Sequence, residues 1–137
     1  MAKLSVELVT PEEHLVDEHD VDMVIAPGVD GQVAILPNHA PLITELEPGV
    51  LILRRDDNEQ LLAISGGFFE VLRNKITVLA DASERSTDID IERAQQARDR
   101  ALRELEAPID HGDAIRARIS LLRAIARIRT AERAGRR

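Results

Sequence analysis

The spacing of hydrophobic and polar positions changes once along the chain, near Ala80. Before that point, short apolar runs alternate with polar residues and break at turn formers. In "KLSVELVTP", Leu4, Val6 and Leu8 alternate with Lys3, Ser5 and Glu7, the period of a half-buried strand, and Pro11 ends the run. "VDMVIAPG" predicts another strand, closed by Pro27-Gly28. "GQVAILPNHAPLITELEPG" sets two short apolar runs around a Pro-Asn-His-Ala-Pro turn. "VLILRRDDNEQLLAI" predicts a hairpin with Asp56-Asp57-Asn58 at its tip, and "FFEVLRNKITVLAD" a second one turning at Asn74. Several strands at this spacing, with turn signals between them, predict an antiparallel β-sandwich or flattened barrel.

After Ala80 the period is helical. Asp90 is the expected N-cap of a first helix, with Thr87 or Asp88 as alternatives. Ile91, Ala94, Ala97, Ala101, Leu102 and Leu105 form its apolar face until Pro108 stops it. "APIDHGD" is a short connection rich in breakers. Asp110 or Asp113 then caps a second helix running to about Ala134, with Ile115, Ile119, Leu121, Leu122, Ile125 and Ile128 on its apolar arc. So short a connection makes the two helices antiparallel neighbours. The expected fold class is α+β: an antiparallel β-sandwich over residues 1–85, then a two-helix hairpin over residues 86–137. The hairpin's contact face is rich in alanine, which buries less area than Leu or Phe at roughly 25 cal/mol per Å². Arg98 and Arg118 fall inside the apolar arcs, where a fully packed helix seldom puts a charge. A hairpin of this composition is expected to dock weakly, and so to be able to undock.

Composition narrows the picture. The chain has 137 residues, 44% of them hydrophobic, yet Phe68 and Phe69 are its only aromatics, so the core must be aliphatic. There is no cysteine, which excludes disulfides and thiolate metal sites. No run approaches the ~18 apolar residues of a membrane-spanning helix. Met1-Ala2-Lys3 leads straight into the first strand pattern, leaving no room for a signal or transit peptide. The expected location is the compartment of synthesis, with no direct membrane insertion and any membrane association made through partners. The net charge of −7 hides a split: residues 1–85 hold 6 basic and 16 acidic side chains, residues 86–137 hold 12 basic and 9 acidic ones. Every basic residue of the second part is arginine. The two parts therefore suit different partners, and the acidic first part would repel nucleic acid.

Little of the sequence suggests catalysis. His14 and His19 flank Asp17 and Glu18, but their i, i+5 spacing on an expected turn fixes no metal geometry and reads as a solvated loop. His39, between two prolines, has no nucleophile beside it, so a turn or interface role fits better than a catalytic base. Gly28, Gly31 and Gly49 form no phosphate-loop pattern. Ser65-Gly66-Gly67 lacks the setting of a nucleophile elbow. No metal and no required cofactor is expected.

Three stretches carry a family resemblance: "GQVAILPNHAPLITELEPG", "SGGFFEVLRNKITVLAD" and "IDIERA". Together, and in this sandwich-then-hairpin order, the chain resembles the epsilon subunit of the bacterial rotary ATP synthase over essentially its whole length. The resemblance implies a noncatalytic part of the central stalk that helps couple proton flow to ATP synthesis. It implies a sandwich that binds the gamma subunit and touches the c-ring. It also implies a hairpin that lies folded on the sandwich or extends along gamma toward the alpha and beta subunits of the catalytic head. The extended form inhibits ATP hydrolysis in that family, and an arginine-rich hairpin suits acidic segments of the head. The place of such a subunit is peripheral, on the cytoplasmic face of the bacterial plasma membrane. By the family pattern, Asp30-Gly31-Gln32 and the turn at His39 lie toward the c-ring; many relatives carry an acidic residue where this chain has Gln32.

"IDIERA" also resembles a motif, Ile/Leu-Asp-x-x-Arg-Ala, through which some members bind ATP as a regulatory ligand on the folded hairpin. The match falls on Ile89, Asp90, Arg93 and Ala94, and the family's phosphate-contacting arginines carry over to Arg100, Arg123 and Arg127, with Glu84 at a further ligand-contacting position. Helix geometry is compatible with that. Arg93 and Arg100 point within about 20° of each other on the first helix, and Arg123 and Arg127 within about 40° on the second. Folding back near Asp110 sets Arg93 opposite Arg127 and Arg100 roughly opposite Arg123. Two like charges 4 Å apart repel by about 4 kcal/mol at an effective dielectric of 20. A triphosphate would reverse that sign. The same residues also permit a plain reading, with Asp90 an N-cap, Ala94 a packing residue and the arginines a solvated face. A free-standing ATP-sensing switch of this fold is the alternative function, and a small hydrolase built on His39 is a third.

Overall fold

The computed structural model describes residues 2–135; Met1, Arg136 and Arg137, the ends of the two expected domains, lie outside it. Eight strands precede two helices: β1 (Leu4–Val9), β2 (His14–Val21), β3 (Met23–Gly28), β4 (Gly31–Ile35), β5 (Leu42–Arg55), β6 (Asn58–Leu72), β7 (Lys75–Ala80) and β8 (Ser83–Arg85). A 3-10 turn over Ser86–Asp88 leads to α1 (Ile91–Glu106) and α2 (His111–Gly135). The strand order is β2-β1-β7-β6-β5-β3-β4, with β8 added to β6. Neighbours are antiparallel except β1 and β7, which run parallel from Ser5 beside Lys75 to Val9 beside Leu79.

The two longest strands join what the sequence suggests as separate runs. β5 passes straight through Pro48-Gly49, and β6 through Ser65-Gly66-Gly67. The first half of β6 pairs β8 and its second half pairs β7, so it changes neighbours at the glycine pair. Gly67 has φ +136, and a Cβ there would sit 2.0 Å from the Leu79 carbonyl oxygen. Only glycine lets the strands approach so closely at the bend. Ser65-Gly66-Gly67 is therefore a strand bend. The β6–β7 connection is Arg73-Asn74, both at positive φ (50° and 63°), as the twist of a two-residue hairpin requires.

Two further elements depart from the sequence expectation. Residues 14–21 form a strand, where the histidine spacing suggested a solvated loop. The β1–β2 ladder slips register twice, so Leu15 and Val16 are buried side by side and the alternation is lost. The helical region is also preceded by β8, a three-residue polar strand pairing Glu84 with Ala63.

One aliphatic core fills the sandwich, and all its residues lie between Leu4 and Ala80. Phe69 is fully buried at its centre, while its neighbour Phe68 points outward. Phe69→Ala should lower unfolding stability by about 3–5 kcal/mol, the cost of lost transfer energy plus an unfilled cavity. Urea unfolding of the full chain measures this.

Candidate functional surfaces

The hairpin docks where the sheet is apolar on both faces. In β5, Leu51 and Leu53 belong to the core while Ile52 between them is buried on the other side; in β6, Leu62 and Ile64 point inward and Leu61 and Ala63 outward. Ile52 stands directly across from Leu61. These outward residues form the floor on which α2 packs, and α1 packs on α2. The continuous runs "LIL" and "LLAI" are thus the sequence trace of the dock: alternation fails because both faces are covered.

The helices meet this floor and each other through small side chains. Ala94 and Ala101 are the buried residues of α1; Ala117, Ala124, Ala126, Ile128, Thr130 and Ala131 are those of α2. Helical spacing puts Ala117, Ala124, Ile128 and Ala131 on one face and Ala126 and Thr130 on the opposite one. Only the second half of α2 is therefore covered on two sides. The Thr130 hydroxyl donates to the Ala126 carbonyl at 2.7 Å, which satisfies it without a partner across the interface. The expected apolar arc is corrected here. Ile128 is buried, but Ile115, Ile119 and Leu122 are 47%, 41% and 44% exposed, as are Ile91, Leu102 and Leu105 of α1 to similar degrees. Arg118 is exposed, outside the contact face, and Arg98 is half-buried beside Asp99. Alanine contacts let helix axes approach closely, and this leaves the larger side chains at the flank.

Of the residues singled out for nucleotide, Asp90 is the N-cap of α1, its Oδ1 accepting from the Arg93 amide at 3.1 Å. Asp110 caps α2 in the same way, accepting from the Asp113 amide at 2.8 Å. Ala94 is fully buried, and Ile89 half-buried. Glu84 and Arg127 are brought together: Arg127 Nε donates to Glu84 Oε1 at 2.7 Å, tying α2 to β8. Arg93, Arg100 and Arg123 are exposed and make no ion pair among the described residues.

Asp30 sits in the β3–β4 turn, and Gly31 and Gln32 begin β4, where Gln32 lines a cavity shared with Arg129 and Arg133 of α2. His39 is exposed in the β4–β5 loop, with Nδ1 2.7 Å from the Ala40 carbonyl oxygen. That loop is pinned by Asn74, whose Oδ1 accepts from the Asn38 amide at 2.6 Å. The outer face of the sheet carries an apolar patch the sequence did not announce. Phe68 and Leu79 are directly paired across β6 and β7, with Ile43 diagonal to them, and the three are 56%, 54% and 72% exposed.

A second hairpin contact also escaped the sequence reading. Glu59, the second residue of β6, lies opposite Arg54, which donates to its Oε2 through Nε at 3.1 Å and Nη2 at 2.7 Å. Arg133, in the last turn of α2, reaches the same oxygen at 3.3 Å. Among the described residues no three acidic or histidine side chains group as metal ligands, and no helix is long and apolar enough to cross a membrane.

A β-sandwich carrying a two-helix arm on its outer face defines the class of protein. Comparison with known proteins specifies it. Residues 3–86 match the model of the ATP synthase delta/epsilon chain β-sandwich domain, and residues 87–132 that of the delta/epsilon long α-helix domain. The ATP synthase epsilon chain of Moorella thermoacetica is 46% identical over 96% of this chain and 98% of its own length. That of Desulforamulus reducens is 45% identical over 96% and 100%. A chain of the Euglena gracilis mitochondrial ATP synthase has the same fold, with a TM-score of 0.82 at 21% identity over 100% of this chain and 83% of that one. The chain belongs to the ATP synthase delta/epsilon family, as an epsilon-type, noncatalytic subunit of the central stalk.

The Glu59 carboxyl is held below its ordinary value of 4.5, chiefly by the Arg54 hydrogen bond and then by Arg133. Only the Arg133 share of that lowering is gained on docking, so its contribution is present above the value Glu59 has in the undocked sandwich, which Arg54 already holds below 4.5, and is lost as pH falls through the docked value. Contact between α2 and β6, followed by hydrogen exchange of the α2 amides, should accordingly hold from pH 8 to 5 and weaken only below about 4.5.

Proposed function

We propose that the hairpin is a mobile regulatory arm that is folded on the sandwich in this structure and, when extended toward the catalytic head, inhibits ATP hydrolysis. The observation that carries this reading is the inverted packing of the hairpin. Small residues hold it to the sandwich while Leu102, Leu105, Ile115, Ile119 and Leu122 stay exposed. A helix pair built only to stay docked would bury those larger side chains, each worth about 1.5–3 kcal/mol. Left exposed, they are available to a second surface. The sandwich keeps the anchoring role, with the Ile43, Phe68 and Leu79 patch receiving gamma. Asp30, Gly31, Gln32 and His39 lie toward the c-ring, on the cytoplasmic face of the bacterial plasma membrane.

ATP on the folded hairpin is the second part of the proposal. Among the described residues Arg93, Arg100 and Arg123 have no carboxylate partner, and Arg127 has one, Glu84, at 2.7 Å. A triphosphate meeting these guanidinium groups would favour the folded arm, because a ligand that prefers one conformation shifts the population toward it. Asp90 and Ile89 at the start of α1 would meet the base. Arg123→Ala and Arg127→Ala should each weaken ATP binding and favour the extended arm. Calorimetric titration of the full chain checks this, and heats equal to those of the unaltered protein would defeat the nucleotide assignment.

Deleting residues 88–137 should leave a folded sandwich, since every core residue precedes Ala82. That fragment should still assemble with gamma and should relieve inhibition of hydrolysis. Reconstitution with the remaining subunits provides the measurement, and lost assembly would show that the arm, not the sandwich, carries the anchoring role.

A further inference from the structure

We infer that Glu59 is a preformed receptor on the sandwich for the C-terminal end of α2, and that the Glu59–Arg133 contact is a latch on the closed arm separate from the proposed nucleotide residues. This rests on the mobile-arm reading above.

The receptor exists before α2 arrives. Arg54 and Glu59 are direct cross-strand partners next to the turn that closes the β5–β6 hairpin, and Arg54 Nε and Nη2 both donate to Glu59 Oε2. Arg54 is in turn steadied by the Met23 sulfur, 3.6 Å from its Nη1. The Glu59 side chain is only 13% exposed. Its rotamer is therefore set within the sandwich, and Arg133 meets an ordered acceptor, with little additional side-chain ordering needed.

The surroundings leave the last turn of α2 thinly packed. Apolar burial along α2 ends at Ala131. Alongside this end of the helix a cavity of about 610 Å³ opens, lined by Pro27, Pro48, Gly49 and Ile52 of the sheet and Arg129, Glu132 and Arg133 of α2. A carboxylate facing the partly negative C-terminus of a helix is also unfavourable unless a cation stands between them, and Arg133 occupies that place. The Glu84–Arg127 pair lies on β8, toward the start of α1, so the two contacts fasten different lengths of the helix.

The chain contains no cysteine, so spin labels can be introduced at Glu12 and Ser120, both exposed, without background. Dipolar distance measurement on the full chain should show the open fraction rising about two- to fivefold in Arg133→Ala and in Glu59→Gln. Arg133→Lys should stay near the unaltered protein. The double variant should open no further than either single one, because both remove the same contact. Arg133 is 45% exposed and outside the sandwich core, so a normal sandwich melt is expected and confirms that opening is not unfolding. Should Arg127→Ala open the arm while Arg133→Ala leaves the distances unchanged, the latch is wrong and the mobile arm stands. Independent, additive effects of the two latch variants would also overturn it. An arm closed in every variant would overturn both readings.

Discussion

The sheet depends on two strands long enough to serve twice. β5 and β6 run together for thirteen residue pairs' worth of ladder from Leu42 beside Val71 to Arg55 beside Asn58, and β6 exchanges β8 for β7 along the way. That exchange happens at Gly66-Gly67, where the Leu79 carbonyl occupies the space a side chain would need. Because the same ladder has one face in the core and the other under α2, the sandwich and the arm are coupled through Ile52, Leu61 and Ala63. A shift in either layer is felt at the dock.

Docking itself is balanced between weak terms. Alanine contacts contribute little area, and the ion pairs that fix the register of α2 stand at the partly exposed edges, where a pair is worth about 0–1 kcal/mol. Such an interface can be closed at rest and still be opened by a partner that offers more apolar area. The sandwich is not held this way: its core is continuous and aliphatic, closed over Phe69. One chain thus joins a continuously packed platform to an arm held on it by small contacts.

Much of this was legible in the sequence. Alternation in "KLSVEL", the turn at Asn74 and the caps Asp90 and Asp110 follow from local chemistry, and the structure has them. What the sequence concealed has physical causes. Bulges placed Leu15 beside Val16 and disguised β2. β8 is too short and polar to announce itself. In α2, the expected arc followed the largest apolar residues, whereas close helix packing selects the smallest, so Ala117 and Ala124 are inside and Ile115 and Ile119 outside. The Glu84–Arg127 contact joined two residues already singled out by motif. Glu59 and Arg133 sit 74 positions apart in the chain with no motif to connect them, and only the fold brings them together.

The parallel pairing of β1 with β7 sets an order of events during synthesis. β1 leaves the ribosome first, yet one of its two neighbours is not made until Ala80 has been added, so the sheet stays open on that side for most of translation. Pairings so distant in sequence close slowly, since the loop entropy is lost before the contacts compensate for it. The helices emerge last, onto a surface already complete. The arm is therefore an addition to a finished fold, laid on strands whose core was closed before it existed.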